Sequence, residues 1–598
     1  MSRISALFLA SAFSAVSSSA PTGLMVDFQL SPSLGVRGAN LTLGGPPHFT
    51  WITPPCPSAP DAAQSSYRIV VTREGAPVWD SGQITSADST YVAYAGPQLA
   101  ASARYTWTVT SFSSACGASD PSAPALFIPH VPEGGWDASA QWLTISAAPA
   151  ATFAYLRKDI VVPAGTVSAV GSVTGVLEDK LLSAYKLYVD GVLVNIGPGR
   201  GEAPVWEGDG LFRPLPFTTL DLTASLPPGP HTLALVVMHT PPQAIMQIVF
   251  RAADGTPTII GTDATWSAFN GDAHRKPGPA THGGSAGTGF LEYIDARGEP
   301  VGWTLPGFTP GNGWSPALAS PNTPALAAQL HAKMQPPFEV VQLTLSELRP
   351  VPVPPAPPTG PVQCGVVPEN ADLELACADG SPIQGVNFAS FGTPTGSCPG
   401  HLAKGSCDAA TSVSVVTAAC VGKTACTVHA TNNAFGGDPC YNTVKELAVE
   451  VKCPSQPPPP PPSNVSAYVG IFEKEFQGGL RLDVKGGKAG SFVNITCGES
   501  LSPTNIVGYT WGWEFGWTFR DGDQTLEQHK YMECRFVSLV FSDEPESFTL
   551  SAWQASYPWV ETDSHFESDN ATLDAVFDLC AFRHDPWLLR SRRPPRPV

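Results

Sequence analysis

Short alternations of apolar and polar residues recur along most of the chain. In residues 67–71 and again in 105–109, large apolar side chains fall on every second position. A period of two residues is typical of β-strands with one buried face. The chain also has 62 prolines and 56 glycines in 598 residues, which disfavour long helices. The pattern therefore predicts a mostly β protein built of several sandwich modules joined by loops.

Two local signals sharpen this prediction in the first half of the chain. Trp51 falls in an early strand where it can fill a sandwich core, and Cys56 and Cys116 in the same module are candidate disulfide partners. Further along, Asp190 and Gly191 separate two apolar runs, which is the strongest short signal for a β-hairpin with a type I′ turn.

A row of aromatic residues marks the second half. Six rings occupy every second position from Tyr509 to Phe519, so all six emerge from one face of a predicted strand. Such a row can stack on sugar rings, but a row of this length more often fills a sandwich core. We expect core packing.

Eight of the 13 cysteines lie in one stretch of about ninety residues. They are Cys364, Cys377, Cys398, Cys407, Cys420, Cys426, Cys440 and Cys453. No two of them form a CxxC pair and no pair of histidines follows at ligand spacing, so zinc is a poor interpretation. Four disulfides formed in an oxidising compartment are a good one, although eight cysteines allow 105 pairings.

Charge and targeting signals narrow the functional class. A net charge of −18 and only 14% charged residues argue against nucleic acid or an anionic membrane as a partner. No metal-ligand spacing is found, and no cofactor or metal is predicted. Residues 1–20 have the form of a secretory signal peptide, which predicts a secreted, extracellular protein without a membrane span. Four sequons predict glycosylation, at Asn40, Asn464, Asn494 and Asn570.

The cysteine-rich block contains recognisable motifs. These are residues 388–394 (FASFGTP), 420–426 (CVGKTAC), 435–440 (FGGDPC) and 445–447 (KEL). Over residues 363–454 the chain resembles the galactose/rhamnose-binding lectin domain of the sea-urchin-egg-lectin type, most of all the copy at the C-terminus of plant β-galactosidases.

The resemblance implies a small disulfide-rich α/β fold that binds galactose- or rhamnose-containing glycans without calcium. The implied sugar-binding residues are Glu369, Asn432, Asp438 and Lys445. The chain departs from the family at Gly365, where strong rhamnose binders have Glu, and at Phe391, where Tyr is common. In the alternative interpretation Asp438 fixes a turn and Lys445 is a solvated strand residue.

The remaining modules resemble the non-catalytic part of α-L-rhamnosidases. The motifs are in residues 156–158, 185–201, 303–314, 472–480, 497–499, 511–514, 527–535 and 557–559. Glu514, Glu527, His529 and Glu533 border the active site in that family, or are strand-surface residues here. The implied fold class is a multi-domain chain of fibronectin III-like, galactose-binding-like and concanavalin-like sandwiches with the lectin domain inserted.

The predicted organisation follows from these modules. It comprises a signal peptide at 1–20, a fibronectin type III-like sandwich at 22–129, a rhamnosidase N-terminal-like sandwich at 130–348, a proline-rich spacer at 349–362, the lectin at 363–454, a polyproline spacer at 455–463, a concanavalin-like sandwich at 464–567, and the start of a helical barrel with a basic tail at 568–598. One amphipathic helix is predicted after Asn570, with Leu573, Val576 and Phe577 on its apolar face.

Two functions compete. The chain is a carbohydrate-binding protein, or it is the N-terminal part of an α-L-rhamnosidase that hydrolyses terminal rhamnose. In the family the two catalytic acids belong to the barrel, which this sequence does not reach, so no catalytic residue is assigned. We expect the polypeptide as given to hydrolyse no rhamnoside.

Overall fold

A computed structural model describes residues 20–582 of the chain with interruptions. The residues outside the description are 1–19, 39–44, 58, 60, 133, 146–152, 177–184, 199–204, 208–209, 213–214, 239–240, 278–291, 321–329, 334, 353–362, 378–379, 397, 399–401, 442, 454–464, 503–504, 506, 509–512, 530–531, 557, 559–565 and 583–598. The second spacer lies there, together with residues 1–19 of the predicted signal peptide and most of the first spacer.

The first module is a sandwich of two sheets. Its strands are β1 (Thr22–Val26), β2 (Gln29–Leu30), β3 (Ser33–Val36), β4 (His48–Ile52), β5 (Ser66–Arg73), β6 (Ala76–Asp80), β7 (Ile84–Thr85), β8 (Val92–Ala93), β9 (Tyr105–Ser113), β10 (Gly117–Ala118) and β11 (Ala125–Pro129). One sheet has the order β2-β1-β4-β8 and the other β3-β11-β9-β5-β6, with β7 on β5 and β10 on β9.

The predicted core of this sandwich is confirmed. The alternating residues of β5 and β9 point inward, and Trp51 is 2% exposed at the centre. Cys56 and Cys116 form a disulfide.

A tight hairpin turn joins β1 to β2. Asp27 and Phe28 occupy it with φ of 49° and 62°, the left-handed values that a two-residue hairpin of this type requires. Glycine adopts this conformation freely, whereas a residue with a Cβ loses roughly 1–2 kcal/mol there. An aromatic residue at this position is therefore unusual.

The second module is also a two-sheet sandwich. Its strands are β12 (Leu143–Thr144), β13 (Phe153–Val162), β14 (Thr166–Gly175), β15 (Tyr185–Val189), β16 (Val192–Gly197), β17 (Val205–Glu207), β18 (Gly210–Phe212), β19 (Leu215–Asp221), β20 (Gly229–Met238), β21 (Gln243–Ala252), β22 (Pro257–Gly261), β23 (Ser267–Asn270), β24 (Arg275–Pro277), β25 (Glu292–Asp295), β26 (Trp314–Pro316), β27 (Leu318–Ala319) and β28 (Leu330–Ala332), with a 3₁₀ turn at Gly271–Ala273.

The two sheets have the orders β27-β12-β21-β14-β19-β28 and β16-β15-β20-β13-β23-β26. Asp190 and Gly191 connect β15 to β16 with φ of 50° and 82°, as the predicted type I′ turn requires.

The later elements divide between the lectin block and a third module. They are β29 (Glu339–Thr344) and β30 (Glu347–Val351); in the lectin block β31 (Cys364–Pro368), β32 (Asp372–Ala376), β33 (Gly385–Gly392), α1 (Ser412–Cys420), β34 (Ala425–His429) and β35 (Glu446–Lys452); then β36 (Ser466–Gly487), β37 (Phe492–Gly498), β38 (Ser500–Leu501), β39 (Val507–Gly508), β40 (Trp513–Thr518), β41 (Gly522–Glu527), β42 (Met532–Phe541), β43 (Ser547–Ser556) and α2 (Ala571–Phe582).

A ten-stranded sheet crosses the predicted module boundaries. Its order is β24-β25-β40-β37-β42-β36-β43-β29, with β30 and β41 also paired to β36. Strands that precede the lectin block in sequence thus complete a sheet formed after it, across the boundary predicted at 348. The spacer predicted from Arg349 begins later for the same reason. Pro350 lies opposite Tyr468, on a strand that pairs only with β36, where its missing N–H is tolerated.

The predicted aromatic row fills the core of this sheet where it is described. Phe515, Trp517 and Phe519 are at most 1% exposed. Core packing is therefore confirmed for Phe515, Trp517 and Phe519. Tyr509, the first residue of the row, lies outside the described residues.

Helix α2 begins where the sequence predicts it. The Asn570 side chain accepts a hydrogen bond from the Thr572 N–H at 3.0 Å, which caps the helix. Leu573 and Val576 are 50% and 51% exposed. Among the described residues, no helix is both long enough and apolar enough to cross a membrane.

The chain divides into two compact units. One consists of Met1–Val351 with Ser466–Val598, and the other is Pro352–Val465, which contains the lectin block.

Candidate functional site

Four disulfides hold the lectin block together. They are Cys364–Cys398, Cys377–Cys453, Cys407–Cys440 and Cys420–Cys426. All eight cysteines of the block are paired, as the four-bridge prediction requires. A domain of this size has a small core, and covalent links of this kind stabilise it mainly by restricting the unfolded chain.

Strand register brings the first two predicted sugar-binding residues together. β31 and β35 are antiparallel, with Pro368 opposite Glu446, so the next residues on either side are Glu369 and Lys445. The Glu369 N–H donates to the Lys445 carbonyl at 2.9 Å, which continues the ladder by one step. Both residues thus sit at the end of a three-stranded sheet whose order is β31-β35-β33.

The ammonium of Lys445 lies at the centre of the cluster. It is 3.1 Å from Asp438 Oδ1 and 3.5 Å from Glu369 Oε2, and it donates to the Thr443 carbonyl at 2.9 Å. The Lys445 side chain is only 4% exposed, while Asp438 and Glu369 are 35% and 20% exposed. The two carboxylates therefore face solvent around a cation held below them. The alternative interpretation of Lys445 as a solvated strand residue is wrong.

The charges shift one another's ionisation. Burial on its own lowers the pKa of Lys445, but the hydrogen bond and charge of Asp438 and the charge of Glu369 outweigh burial and raise that pKa above its usual value. The Lys445 ammonium in turn, together with the Cys440 N–H, lowers the pKa of Asp438. The ion pair is therefore fully charged at neutral pH.

The other two predicted residues lie on the loop between β34 and β35. Asp438 also accepts the Cys440 N–H at 3.0 Å, so it fixes the turn as well as holding the lysine. Asn432 accepts the Gly437 N–H with its backbone carbonyl at 2.8 Å. The Asn432 Oδ1 atom is buried and, among the described residues, has no hydrogen-bond partner. A buried polar atom in that state suits a ligand or a water molecule.

One feature of this loop was not predicted from the sequence. Tyr441, next to Cys440, is 89% exposed, more than any other large apolar side chain within the described ranges. Its signal in the sequence was an aromatic residue between Asp438 and Lys445. Phe391, the departure from the family's Tyr, is fully buried and stacks on Phe435 with 4.6 Å between ring centroids. It belongs to the core of the domain.

A second charged cluster is buried in the other unit. Lys186 on β15 is 2% exposed, and its ammonium donates to Glu527 Oε1 and to the Gln528 carbonyl, both at 2.6 Å. The same ammonium lies 4.5 Å above the Trp553 ring. Burial lowers the pKa of Lys186. Burial alone raises the pKa of Glu527, but the charges of Lys186 and Arg481 outweigh it and keep this carboxyl's pKa below its usual value.

Arg275 extends this cluster at the same end of β41. Its guanidinium pairs with Glu292 at 2.8 Å and donates to the Glu527 carbonyl at 3.1 Å, and the His529 N–H donates to Glu292 Oε2 at 2.9 Å. His529 is 1% exposed, so Glu527 and His529 are not strand-surface residues. They belong to a charged contact that joins the second module to the third.

The remaining predicted sites are placed as follows. Asn494 and Asn570 are exposed, as glycosylation requires, and Asn40 and Asn464 lie outside the described residues. Cys497 and Cys534 form a disulfide that the sequence analysis did not propose. In the part of the chain that the structure describes, no group of three or more His, Cys, Asp or Glu residues is arranged to hold a metal ion.

Two family models match the chain. Residues 375–453 match the D-galactoside/L-rhamnose binding SUEL lectin domain. Residues 41–128 match the Rha78A-like, N-terminal immunoglobulin domain. Immunoglobulin and fibronectin type III domains share the two-sheet sandwich architecture found here.

Curated relatives match over a short part of the chain. The chain is 45% identical over 82 residues to beta-galactosidase 6 of Oryza sativa subsp. japonica, a match that covers 14% of this chain and 9% of the relative. It is also 45% identical over 82 residues to beta-galactosidase 8 of Arabidopsis thaliana, with the same coverage.

Solved structures match over nearly the whole chain at low identity. The α-L-rhamnosidase from Aspergillus terreus aligns with a TM-score of 0.55 and 16% identity, over 93% of this chain and 51% of that one. The α-L-rhamnosidase from Dictyoglumus thermophilum aligns with a TM-score of 0.53 and 15% identity, over 90% of this chain and 49% of that one. The chain therefore spans about half the length of these enzymes and carries a Rha78A-like immunoglobulin domain and a SUEL-type lectin domain on a scaffold with the fold of the α-L-rhamnosidases.

Proposed function

We propose that the chain binds galactose- or rhamnose-containing glycans at the cluster formed by Glu369, Asp438 and Lys445, with Asn432, on the same loop as Asp438, as a further contact. The observation that carries the proposal is the buried Lys445 ammonium flanked by two partly exposed carboxylates. A neutral sugar presents only hydroxyl groups, and each hydroxyl can donate to a carboxylate while it accepts from an ammonium. Hydrogen bonds to charged groups contribute about 1.5–3 kcal/mol each, more than neutral ones.

The geometry leaves hydrogen-bonding capacity for a ligand. The contact from Lys445 to Glu369 is 3.5 Å, at the limit of a hydrogen bond. A sugar hydroxyl can therefore replace Glu369 as the acceptor of this hydrogen bond at the least cost. Asp438 has further lone pairs beyond those that accept from Lys445 and the Cys440 N–H. The exposed ring of Tyr441, on the loop that holds Asp438, supplies an apolar face.

Binding is tested on the full chain with its disulfides intact. Titration of D-galactose and L-rhamnose by calorimetry, with and without EDTA, should give the same weak affinity in both buffers. Asp438→Asn keeps an acceptor for the Cys440 N–H but removes the charge, and we expect it to weaken binding about tenfold or more. Tyr441→Ala should weaken binding about threefold.

The control is Lys452→Gln in the same unit. Lys452 is exposed and is the last residue of β35, at the opposite end of that strand from Lys445. It should leave affinity unchanged. An Asp438→Asn chain that binds as tightly as the unmodified one would remove this cluster as the site.

Hydrolysis of terminal α-L-rhamnose is the second candidate function, and it is favoured by the fold shared with two α-L-rhamnosidases. We propose that the sandwiches act as the scaffold of such an enzyme. Incubation with an aryl α-L-rhamnoside tests this second function, and turnover above the uncatalysed rate would support it. We also propose an extracellular location, which suits the six disulfides among the described residues.

A further inference from the structure

Three stacked rings form an exposed cluster on the first sandwich. The rings of Phe28 and Tyr91 stack with centroids 5.5 Å apart and an interplanar angle of 15°. Tyr91 also stacks on His48, at 3.7 Å and 8°. Phe28 and Tyr91 are 63% and 46% exposed, so the stack lies at the surface and not in the core. We call these three residues the aromatic ladder.

The backbone of the ladder is unfavourable for aromatic residues. Phe28 has φ of 62° and Tyr91 has φ of 57°, both in the left-handed region where glycine or asparagine fits best. Neither the turn nor the core explains two exposed rings at such positions. Strained left-handed residues persist only where the surrounding structure maintains them, and they tend to cluster at functional sites.

The polar groups around the ladder are balanced in charge. Asp27 accepts the N–H groups of Arg37 and His48 at 2.9 and 3.1 Å. The Arg37 guanidinium donates to the Tyr91 hydroxyl at 3.1 Å. One carboxylate and one guanidinium thus flank the rings. This arrangement suits a neutral ligand that has an apolar face and hydroxyl groups at its rim.

We propose that the aromatic ladder is a second sugar-contact site, separate from the lectin cluster. Tyr91 is already stacked on both Phe28 and His48, so a neutral pyranose stacks its C–H face on the exposed ring of Phe28, and its rim hydroxyls bond to the Tyr91 hydroxyl and the Arg37 guanidinium. Aromatic rings present the apolar surface for such a contact at small cost in side-chain entropy, because they have few rotatable bonds. The proposal goes beyond the function assigned to the lectin cluster and does not depend on it.

The test uses the full chain with the lectin cluster disabled by Asp438→Asn. Saturation-transfer NMR is recorded with D-galactose, L-rhamnose, D-glucose and D-mannose, each in excess. At least one sugar should still receive saturation in this background. Adding Phe28→Gly should weaken that residual binding about fivefold or more, and Ile84→Ala, which removes another exposed apolar side chain from the same module, should not.

The Phe28→Gly variant also separates recognition from a structural role. Glycine fits the left-handed turn, so the melting temperature should stay the same or rise. A ring needed for folding would instead lower the melting temperature. The proposal is overturned if no sugar signal survives Asp438→Asn, if Phe28→Gly leaves that signal intact, or if sedimentation shows that the ladder mediates association between two copies of the chain. If Asp438→Asn changes nothing while Phe28→Gly abolishes binding, the lectin-cluster proposal fails and this one stands.

Discussion

Two lysines, one in each compact unit, hold carboxylates in opposite ways. Lys445 sits under the surface of the lectin block with Asp438 and Glu369 open to solvent above it. Lys186 is enclosed between two sandwiches, against Glu527 and the Trp553 ring. The pKa is raised at Lys445 because the carboxylates outweigh burial, and lowered at Lys186 because burial outweighs its carboxylate.

The difference separates a ligand-binding site, at Lys445, from a structural contact between two modules, at Lys186, which we call the joint. At Lys445 the carboxylates keep unused acceptor capacity toward solvent, so the cluster can exchange partners with a ligand. At Lys186 the ammonium has partners at 2.6 Å on two sides and an aromatic ring on a third, which leaves no room for a ligand. We therefore assign binding to the first lysine and module cohesion to the second.

The largest expected effect comes from breaking the joint. Lys186→Met leaves Glu527, whose side chain is 18% exposed, with the longer 3.5 Å contact to Arg481, and loss of one partner of a largely buried pair costs up to about 3–5 kcal/mol. Urea unfolding of the full chain should show this loss, while sugar affinity stays unchanged. Lys488→Met is the matched control, since Lys488 is 63% exposed in its pair with Asp543 and should change stability by less than about 1 kcal/mol. A loss that small at Lys186 would contradict the assignment.

Acid should weaken the joint next. His274 is 1% exposed beside Arg275, and burial lowers the pKa of its imidazole to about 4. The unfolded chain binds a proton near pH 6.5, so between pH 6.5 and about 4 the unfolded state holds more protons than the native state. The contribution of neutral His274 to the free energy of unfolding is therefore fully present above pH 6.5. It is lost as the pH falls towards about 4, and the loss is on the order of 3 kcal/mol.

The measurement is urea unfolding at pH 7 and at pH 4.5 for the unmodified chain and for His274→Gln. The variant lacks the titrating ring, so its stability should depend less on pH over this interval. Equal pH dependence in the two chains would show that other groups dominate the acid response.

The smallest expected effect on stability comes from the lectin lysine. Lys445→Met removes the cation between Asp438 and Glu369, and sugar binding should weaken about tenfold or more because hydroxyl acceptors lose their charged donor. Stability should fall less than in Lys186→Met, because both carboxylates left behind reach solvent. Calorimetric titration and urea unfolding on the same samples compare the two lysines. A Lys445→Met chain with normal affinity and lower stability than Lys186→Met would reverse the comparison.

The sequence predicted local features well because each depends on neighbours in the chain. Alternation located the strands around Tyr67 and Trp107, and Asp190 with Gly191 located a hairpin. The pairing of β29 and β30 with strands formed after the lectin block could not be predicted in this way, because periodicity shows which face of a strand is buried but not which strand lies beside it.

The candidate site was predicted in its members but not in its arrangement. The resemblance supplied Glu369, Asp438 and Lys445, and the structure brings these three together. It gave no sign that Lys445 is buried, because a lysine after an exposed loop has the pattern of a solvated residue. The partners that make the burial of a lysine tolerable come from other segments of the chain.

The pairing of β30 with β36 makes the lectin unit interchangeable. Val351 lies opposite Ala467, so the chain leaves the sheet and returns to it at neighbouring positions, with Pro352–Val465 in the place of a hairpin loop. The entropy of closing such a loop rises by only about 0.6 kcal/mol for each doubling of its length. A sheet closed in this way tolerates connections of very different length. A different recognition domain, or a short turn, can therefore connect β30 to β36 without a change in the scaffold. The sequence of the lectin unit and that of the scaffold can then change independently of each other.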